Sequence, residues 1–312
     1  MTQSLAFVFP GQGSQSIGML AGLSDLHPLI RDTFAEASEG AKVDLWALSQ
    51  QGPEEQLNRT EFTQPALLAA GVAVWRAWRA AGGAEPTLLA GHSLGEYTAL
   101  VASGALPLEQ GARLVRLRGQ LMQNATPAGS GAMAAVLGAD EALVREVCEL
   151  ASQSQVLVPA NFNSPGQIVI GGHVEAVDRA LALFAERGVR KAVKLAVSVP
   201  SHTPLMRDEA NRLAEAMAAL DWRAPQIPVV QNVDGAVQGD LSGIREALVR
   251  QLYQPVQWTA CVETLAARGA ARVAECGPGK VLTGLVKRID KSLDARALGT
   301  PEDFNAALEA WA

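Results

Sequence analysis

Apolar and polar positions follow two patterns along the chain. Short apolar runs that close on glycine or proline predict buried strands: SLAFVF at residues 4–9, LLAG at 88–91 and ARVAEC at 271–276. Each is followed by a turn and a stretch with helical spacing. The turn Pro10-Gly11-Gln12-Gly13 leads to a helix expected from Ser16 onward, and Gly277-Pro278-Gly279-Lys280 leads to KVLTGLVKRI. Residues 65–81 begin at Pro65, stay apolar and end with Arg76, Arg79 and Gly82-Gly83, which predicts a helix starting at Pro65. Repeated strand, loop and helix units predict a mostly parallel sheet covered on both faces.

The middle of the chain has a different order. From Met133 the pattern is strand (MAAVLG), helix (EALVREVCEL), strand (VLVPANF), a turn at Asn163-Ser164-Pro165-Gly166, strand (QIVIGG), helix (EAVDRALALFAERG) and strand (VRKAVKLAVS). This β-α-β-β-α-β sequence predicts a ferredoxin-like unit. The expected fold class is therefore α/β, with an α/β-hydrolase-like large domain from residues 1–127 and 200–312 and an inserted ferredoxin-like domain at 128–199.

With 312 residues, 48% of them hydrophobic and 19% charged, the chain can bury a large core. Its net charge of −6 and lack of any basic block exclude a nucleic-acid surface. The start MTQSLAFVFPGQG is too short in apolar residues for a secretory signal. The run Ala66–Trp75 stops at Arg76, well short of a membrane span. A cytoplasmic protein without a membrane partner is expected. Cys148, Cys261 and Cys276 are scattered and read as reduced thiols, and the four histidines show no metal-ligand spacing, so no metal is expected.

Candidate chemistry centres on Gly91-His92-Ser93-Leu94-Gly95, a G-x-S-x-G between a predicted strand and a predicted helix. That context is the one a nucleophile elbow needs, since bulk is excluded where helix and strand approach. Ser93 requires a base. His92 is adjacent and points elsewhere, His27 precedes Pro28 in a short loop, and His173 opens a helix of the inserted unit. By elimination the base is His202, at the return between the proposed domains, where clefts form; the alternative for it is an ordinary helix-start residue. No acid between Ser93 and His202 is placed like the third member of a hydrolase triad: Asp140 and Asp178 sit at helix starts or on helical faces. A neutral acceptor would still fix the imidazole tautomer.

Over residues 107–123, Arg113, Arg116, Gln120 and Gln123 share a polar face, whereas Arg118 falls among Leu114, Val115, Leu121 and Met122. A guanidinium turned inward needs a partner. On the pattern alone, a buried ion pair with a protein carboxylate and a grip on a substrate carboxylate stand level. The loops at Gly11-Gln12-Gly13 and Gly279-Lys280-Val281 lack the spacing of nucleotide-binding loops. The first is better used for backbone N–H donation, with Gln12 joining Leu94, the residue after the nucleophile, in an oxyanion hole.

The motifs FPGQGSQ (9–15), TQPA (63–66), GHSLGEY (91–97), RLRGQLM (116–122), NFNSPGQIVIGG (161–172), PSHTPLM (200–206), QLYQPVQW (251–258) and GPGKVLTGL (277–285) span almost the whole chain in order. Together they resemble the free-standing malonyl-CoA:acyl carrier protein transacylases. The resemblance implies that Ser93 is the malonylated nucleophile, His202 the general base and Arg118 the clamp on the free malonyl carboxylate, with the amides of Gln12 and Leu94 as oxyanion hole. It implies that Gln251 orients His202 through its main-chain carbonyl, and that Asn161 and Asn163 line the cleft. It also implies a ping-pong transfer of malonyl from coenzyme A to the phosphopantetheine thiol of acyl carrier protein in type II fatty acid biosynthesis, by a monomer needing no cofactor. Val199-Pro200-Ser201 matches neither extender-choice pattern of modular polyketide acyltransferases, so malonyl selectivity rests on the free-standing family. Alternatives within the same residues are a serine hydrolase or thioesterase, a malonyl-transferring subunit of malonate decarboxylation, and a non-catalytic carrier-binding subunit. For carrier docking the candidate basic clusters are Arg190, Lys191 and Lys194, or Lys287, Arg288 and Lys291.

Overall fold

The structure is a computed structural model and describes residues 4–197 and 199–311. Nine strands are present among these residues: β1 (Ser4–Phe9), β2 (Leu88–Gly91), β3 (Gly131–Leu137), β4 (Leu157–Ser164), β5 (Gln167–His173), β6 (Lys191–Lys194), β7 (Val229–Val230), β8 (Ala270–Glu275) and β9 (Asp294–Ala297). They form two sheets. One is five-stranded and parallel, in the order β7-β2-β1-β8-β9; the other is four-stranded and antiparallel, in the order β4-β5-β3-β6.

The alternation within β1 shows why the parallel sheet is buried on both faces. Leu5, Phe7 and Phe9 enter a core built largely on the long helix Thr60–Ala80, whereas Ala6 and Val8 enter a second core with Trp258, Val262 and Leu285. Successive side chains of a strand point to opposite faces, so a run apolar at every position needs helices on both sides. In the smaller sheet one face packs Ala134, Val136, Ile168 and Ile170 against the helices Glu141–Ser152 and Val174–Glu186, in the β-α-β-β-α-β order read from the sequence. On its other face Met133, Ala160 and Val169 form a separate apolar cluster.

The C-terminal ends of β1 and β2 lie side by side, Phe9 paired with Gly91, so the loops after them converge. The small sheet is tied to the large one by backbone: Phe162 N–H donates to Val256 O and Val256 N–H donates to Ala160 O, both at 2.9 Å. These bonds carry β4 alongside the segment that leads into the helix Trp258–Ala267.

Three sequence expectations require correction. The helix predicted to start at Pro65 runs from Thr60, with Pro65 inside it. The missing N–H of Pro65 is tolerated near the start because the preceding turn is anchored otherwise: Thr63 Oγ1 donates to the carbonyls of Leu57 and Arg59. The helix expected from Ser16 begins at Ala21, after Leu20 adopts a left-handed conformation that helical backbone cannot continue through. The last strand of the small sheet, expected over 189–198, is confined to Lys191–Lys194, where it pairs with β3 from Leu137 to Ala134; Leu195–Val197 instead line a cleft, and Ser198 lies outside the described residues.

Candidate active site

The elbow follows from local sterics. Ser93 has φ 52° and ψ −105°, a backbone conformation that an L-residue adopts only when its surroundings enforce it. A Cβ on Gly95 would strike the carbonyl of Phe9, and one on Gly91 would strike Gly95 itself, so strand and helix can close to this distance only with glycine at both positions. The turn places Ser93 at the mouth of the helix Leu94–Ala102. The preceding loop is pressed onto it as well: a Cβ on Gly11 would stand 2.6 Å from His92 O.

Around Ser93 lies a cleft of about 540 Å3 between the two sheets. Gln12, Ser93, Leu94, Arg118, Asn161, Asn163 and His202 all line it, and Gln251 stands immediately behind. Ser93 Oγ is 2.7 Å from His202 Nε2, and His202 Nδ1 is 2.7 Å from the carbonyl oxygen of Gln251. A carbonyl accepts only, so Nδ1 carries the proton and Nε2 is left free to accept from Ser93. Burial, together with the Arg118 cation, pulls the His202 imidazole down to about 3, which keeps it neutral over the physiological range. His202 has φ 61° and its N–H donates to Leu252 O at 3.2 Å, so both its backbone and its ring are held by the helix Leu241–Tyr253. The other three histidines are engaged elsewhere. His92 Nε2 meets Asn163 Oδ1 at 2.8 Å, His173 Nδ1 accepts from Val156 N–H, and His27 packs on Phe304.

Arg118 is 1% exposed and has no ion-pair partner among the described residues. Its guanidinium donates instead to neutral oxygens: Nη1 to Gln64 Oε1 at 2.8 Å, Nη2 to Gln251 Oε1 at 3.0 Å and to Ser93 Oγ at 3.1 Å. Its face rests 5.2 Å above the Tyr97 ring. The direct ion pair that one of the two sequence readings requires is absent among the described residues. A buried cation beside the nucleophile that touches only neutral dipoles still has donors a carboxylate entering the cleft could use.

Three residues of the site escape sequence inspection. Glu96 is fully buried; its Oε2 accepts from Gln251 Nε2 at 3.0 Å and from Asn232 N–H at 2.7 Å, while Oε1 is buried without a hydrogen-bond partner. Burial pushes this carboxyl up to about 7, in spite of those donors and of Arg118. Asn232 holds the elbow, taking Ser93 N–H on Oδ1 at 2.7 Å and donating Nδ2 to Gly91 O at 2.6 Å. Gln64 holds Arg118. Glu96 is three residues past the serine and Gln64 lies in TQPA, so both motifs contained them, whereas Asn232 follows a strand of just two residues that leaves no periodic signal.

A serine on a strained turn, hydrogen-bonded to a neutral, carbonyl-oriented imidazole, defines a serine-dependent acyl-transfer site. A buried guanidinium stands 3.1 Å from the serine oxygen. The chain belongs to the acyl transferase domain family, whose model matches residues 6–301, and within it to the malonyl CoA-acyl carrier protein transacylases. It is 54% identical over 309 residues to the malonyl CoA-acyl carrier protein transacylase of Escherichia coli strain K12, covering 99% of this chain and 100% of that one. The crystal structure of the malonyl-CoA:acyl carrier protein transacylase of Xanthomonas oryzae pv. oryzae is 76% identical, superposes with a TM-score of 0.99 and is covered over 100% of both chains. A malonyl-transacylase solved in complex with its type II PKS acyl-carrier protein is 51% identical with a TM-score of 0.97, over 98% of this chain and 99% of that one.

Proposed function

We propose that the protein transfers a malonyl group from coenzyme A to the phosphopantetheine thiol of acyl carrier protein, in type II fatty acid biosynthesis, through a malonyl-Ser93 intermediate. The observation that carries this reading is the unpaired Arg118 guanidinium 3.1 Å from Ser93 Oγ. A general esterase has no use for a buried cation at that distance, and a carboxylate on the acyl group satisfies it.

The roles proposed for the residues are these. Arg118 takes the malonyl carboxylate, exchanging its dipolar contacts for a charge-assisted pair. His202 Nε2 accepts the Ser93 proton as Oγ attacks the thioester carbon, and the oxyanion is received by the amides of Gln12 and Leu94. The amide of Leu94 opens a helix and has no intrahelical acceptor, which suits it to that task. The tetrahedral intermediate collapses with cleavage of the C–S bond, and His202 returns the proton to the departing thiolate. The carrier thiol then runs the same steps in reverse. Gln251 fixes the imidazole tautomer through its carbonyl, and Asn161 and Asn163 border the acyl path on β4. An imidazolium is disfavoured by burial and by the Arg118 cation beside it. The substrate carboxylate offsets the cation, so the acyl group strengthens the base that activates its own nucleophile.

Residues 128–199 are assigned as an inserted unit on the main domain. No helix among the described residues is long and apolar enough to cross a membrane. A cytoplasmic location, a monomeric state and the lack of a cofactor are parts of the same proposal. Intact mass after mixing with malonyl-CoA tests the function. A stable malonyl adduct, absent in Ser93→Ala, is expected; free malonate released without any adduct would point to a hydrolase instead.

A further inference from the structure

Arg118 and Glu96 are the two buried ions nearest the nucleophile, and one side chain joins them. Gln251 accepts from Arg118 Nη2 on Oε1 at 3.0 Å, and its Nε2 donates to Glu96 Oε2 at 3.0 Å and to Ser93 O at 3.0 Å. These three bonds leave the amide a single orientation, with oxygen toward the cation and nitrogen toward the carboxylate. Glu96 Oε1 meanwhile lies buried without a donor, so the carboxylate is held on one side and open on the other. No carboxylate contacts the guanidinium directly among the described residues.

We propose that Glu96 is the counter-charge of the empty site, acting on Arg118 through the Gln251 amide, and that it takes up one proton when the malonyl carboxylate arrives. This rests on the malonyl-transfer reading above. The pocket holds one buried cation, and the balance needs one anion: Glu96 supplies it before binding and the acyl group after it, so the second anion is discharged by a proton from solvent rather than buried. The groups that face Glu96 are Arg118 from the helix Leu108–Asn124, Tyr97 from its own helix, Asp234 from the loop after β7 and Cys261 from the helix Trp258–Ala267. Of these, Arg118 stays cationic throughout, and burial pushes the Tyr97 hydroxyl up to about 12 and the Cys261 thiol well above its ordinary range. His202, reached through the backbone of the same Gln251, is already neutral above pH 5. A titration near neutrality therefore belongs to Glu96, whose carboxyl is pushed up to about 7.

Glu96 is a positioning residue, since it touches neither substrate nor Ser93 Oγ, and its test is the shape of a pH profile. In wild type, kcat/KM for malonyl-CoA should fall with loss of a single proton around pH 7, approaching 10-fold per pH unit on the alkaline side, while formation of the acetyl-enzyme from acetyl-CoA should not. Glu96→Gln keeps an oxygen for Asn232 N–H and Gln251 Nε2 and removes only the charge. It should make the malonyl profile flat over the same range. A Glu96→Gln profile that retains the wild-type fall, with the malonyl adduct on Ser93 verified by mass, overturns the proposal and leaves the transferase reading standing. Should that variant not fold, the wild-type chain decides. Mixing it with malonyl-CoA at pH 7 in dilute buffer with an indicator dye should show uptake of about half a proton per malonyl-enzyme formed. No uptake beside a normal adduct overturns the counter-charge role; no adduct at all overturns the reading beneath it.

Discussion

The two walls of the cleft are built differently. On the side of the parallel sheet, Ser93, His202, Arg118, Gln251, Gln64, Glu96 and Asn232 are joined by hydrogen bonds of 2.7–3.1 Å into one network. On the side of the antiparallel sheet, Met133, Val169, Leu195 and Val197 present an apolar surface, with Asn161 and Asn163 at its border. A buried polar network passes the loss of one member on to the others, because each group left unpaired costs the full desolvation of a polar atom. An apolar wall loses contacts in proportion to what is removed. Substitutions on the first wall should therefore change the reaction, and those on the second should change little beyond fit.

The largest effect is expected at the nucleophile. Ser93→Ala should abolish the acyl-enzyme and lower kcat by several orders of magnitude, on the order of the 10^6-fold seen when a serine nucleophile is removed elsewhere. Transfer at a tenth of the wild-type rate would show that another group carries the acyl chain. Next comes Arg118→Ala, which should cost malonyl-CoA about 2–5 kcal/mol in kcat/KM, roughly 30- to 5,000-fold, while acetyl-CoA changes much less. A parallel loss for both esters would mean that Arg118 supports the fold of the site rather than its selectivity.

How far these residues were legible depends on how local their signals are. The elbow was readable because strain, glycines and serine all fall within five residues. Arg118 stood out as a charge at an apolar phase of its helix, and His202 by elimination. Gln251 came through the resemblance alone: its task is done by a backbone carbonyl, which no side-chain pattern encodes. Glu96 shows the opposite difficulty. A glutamate in the first turn of a helix reads as an ordinary favourable end charge, and its burial is decided by Asn232 and Gln251, 136 and 155 residues away. The parallel sheet was legible in its central strands, but β7 and β9, of two and four residues, are too short for a periodic signal.

A smaller effect sharpens the contrast through pH. His202 has an ordinary value of 6.5 and about 3 in the folded chain. Between those values the unfolded chain binds a proton that the native chain refuses, so the associated stability is complete above 6.5 and is lost as pH falls toward 3. The rate of loss approaches ~1.4 kcal/mol per pH unit. Urea unfolding at pH 6.5 and pH 4.5 should show His202→Ala less acid-sensitive than wild type by roughly 2 kcal/mol across the interval. Equal sensitivity of the two chains would place the acid response outside the network.

The smallest effect is expected on the apolar wall. Val169 is buried on β5 and faces the cleft beside Met133 and Ala160. Val169→Ala removes two methyl groups and leaves every hydrogen bond around Ser93 intact. A truncation of this size in a wall that opens on solvent should cost about 1 kcal/mol of stability, and less than about 5-fold in kcat/KM, through looser packing of the acyl chain. The ratio of malonyl-CoA to acetyl-CoA should not move, because Arg118, the proposed clamp on the carboxylate, stands on the opposite wall beside Ser93. That ratio is the sensitive quantity. A 10-fold change in it on Val169→Ala would show that the antiparallel wall presses the acyl group onto the guanidinium, and that recognition and fit are coupled across the cleft.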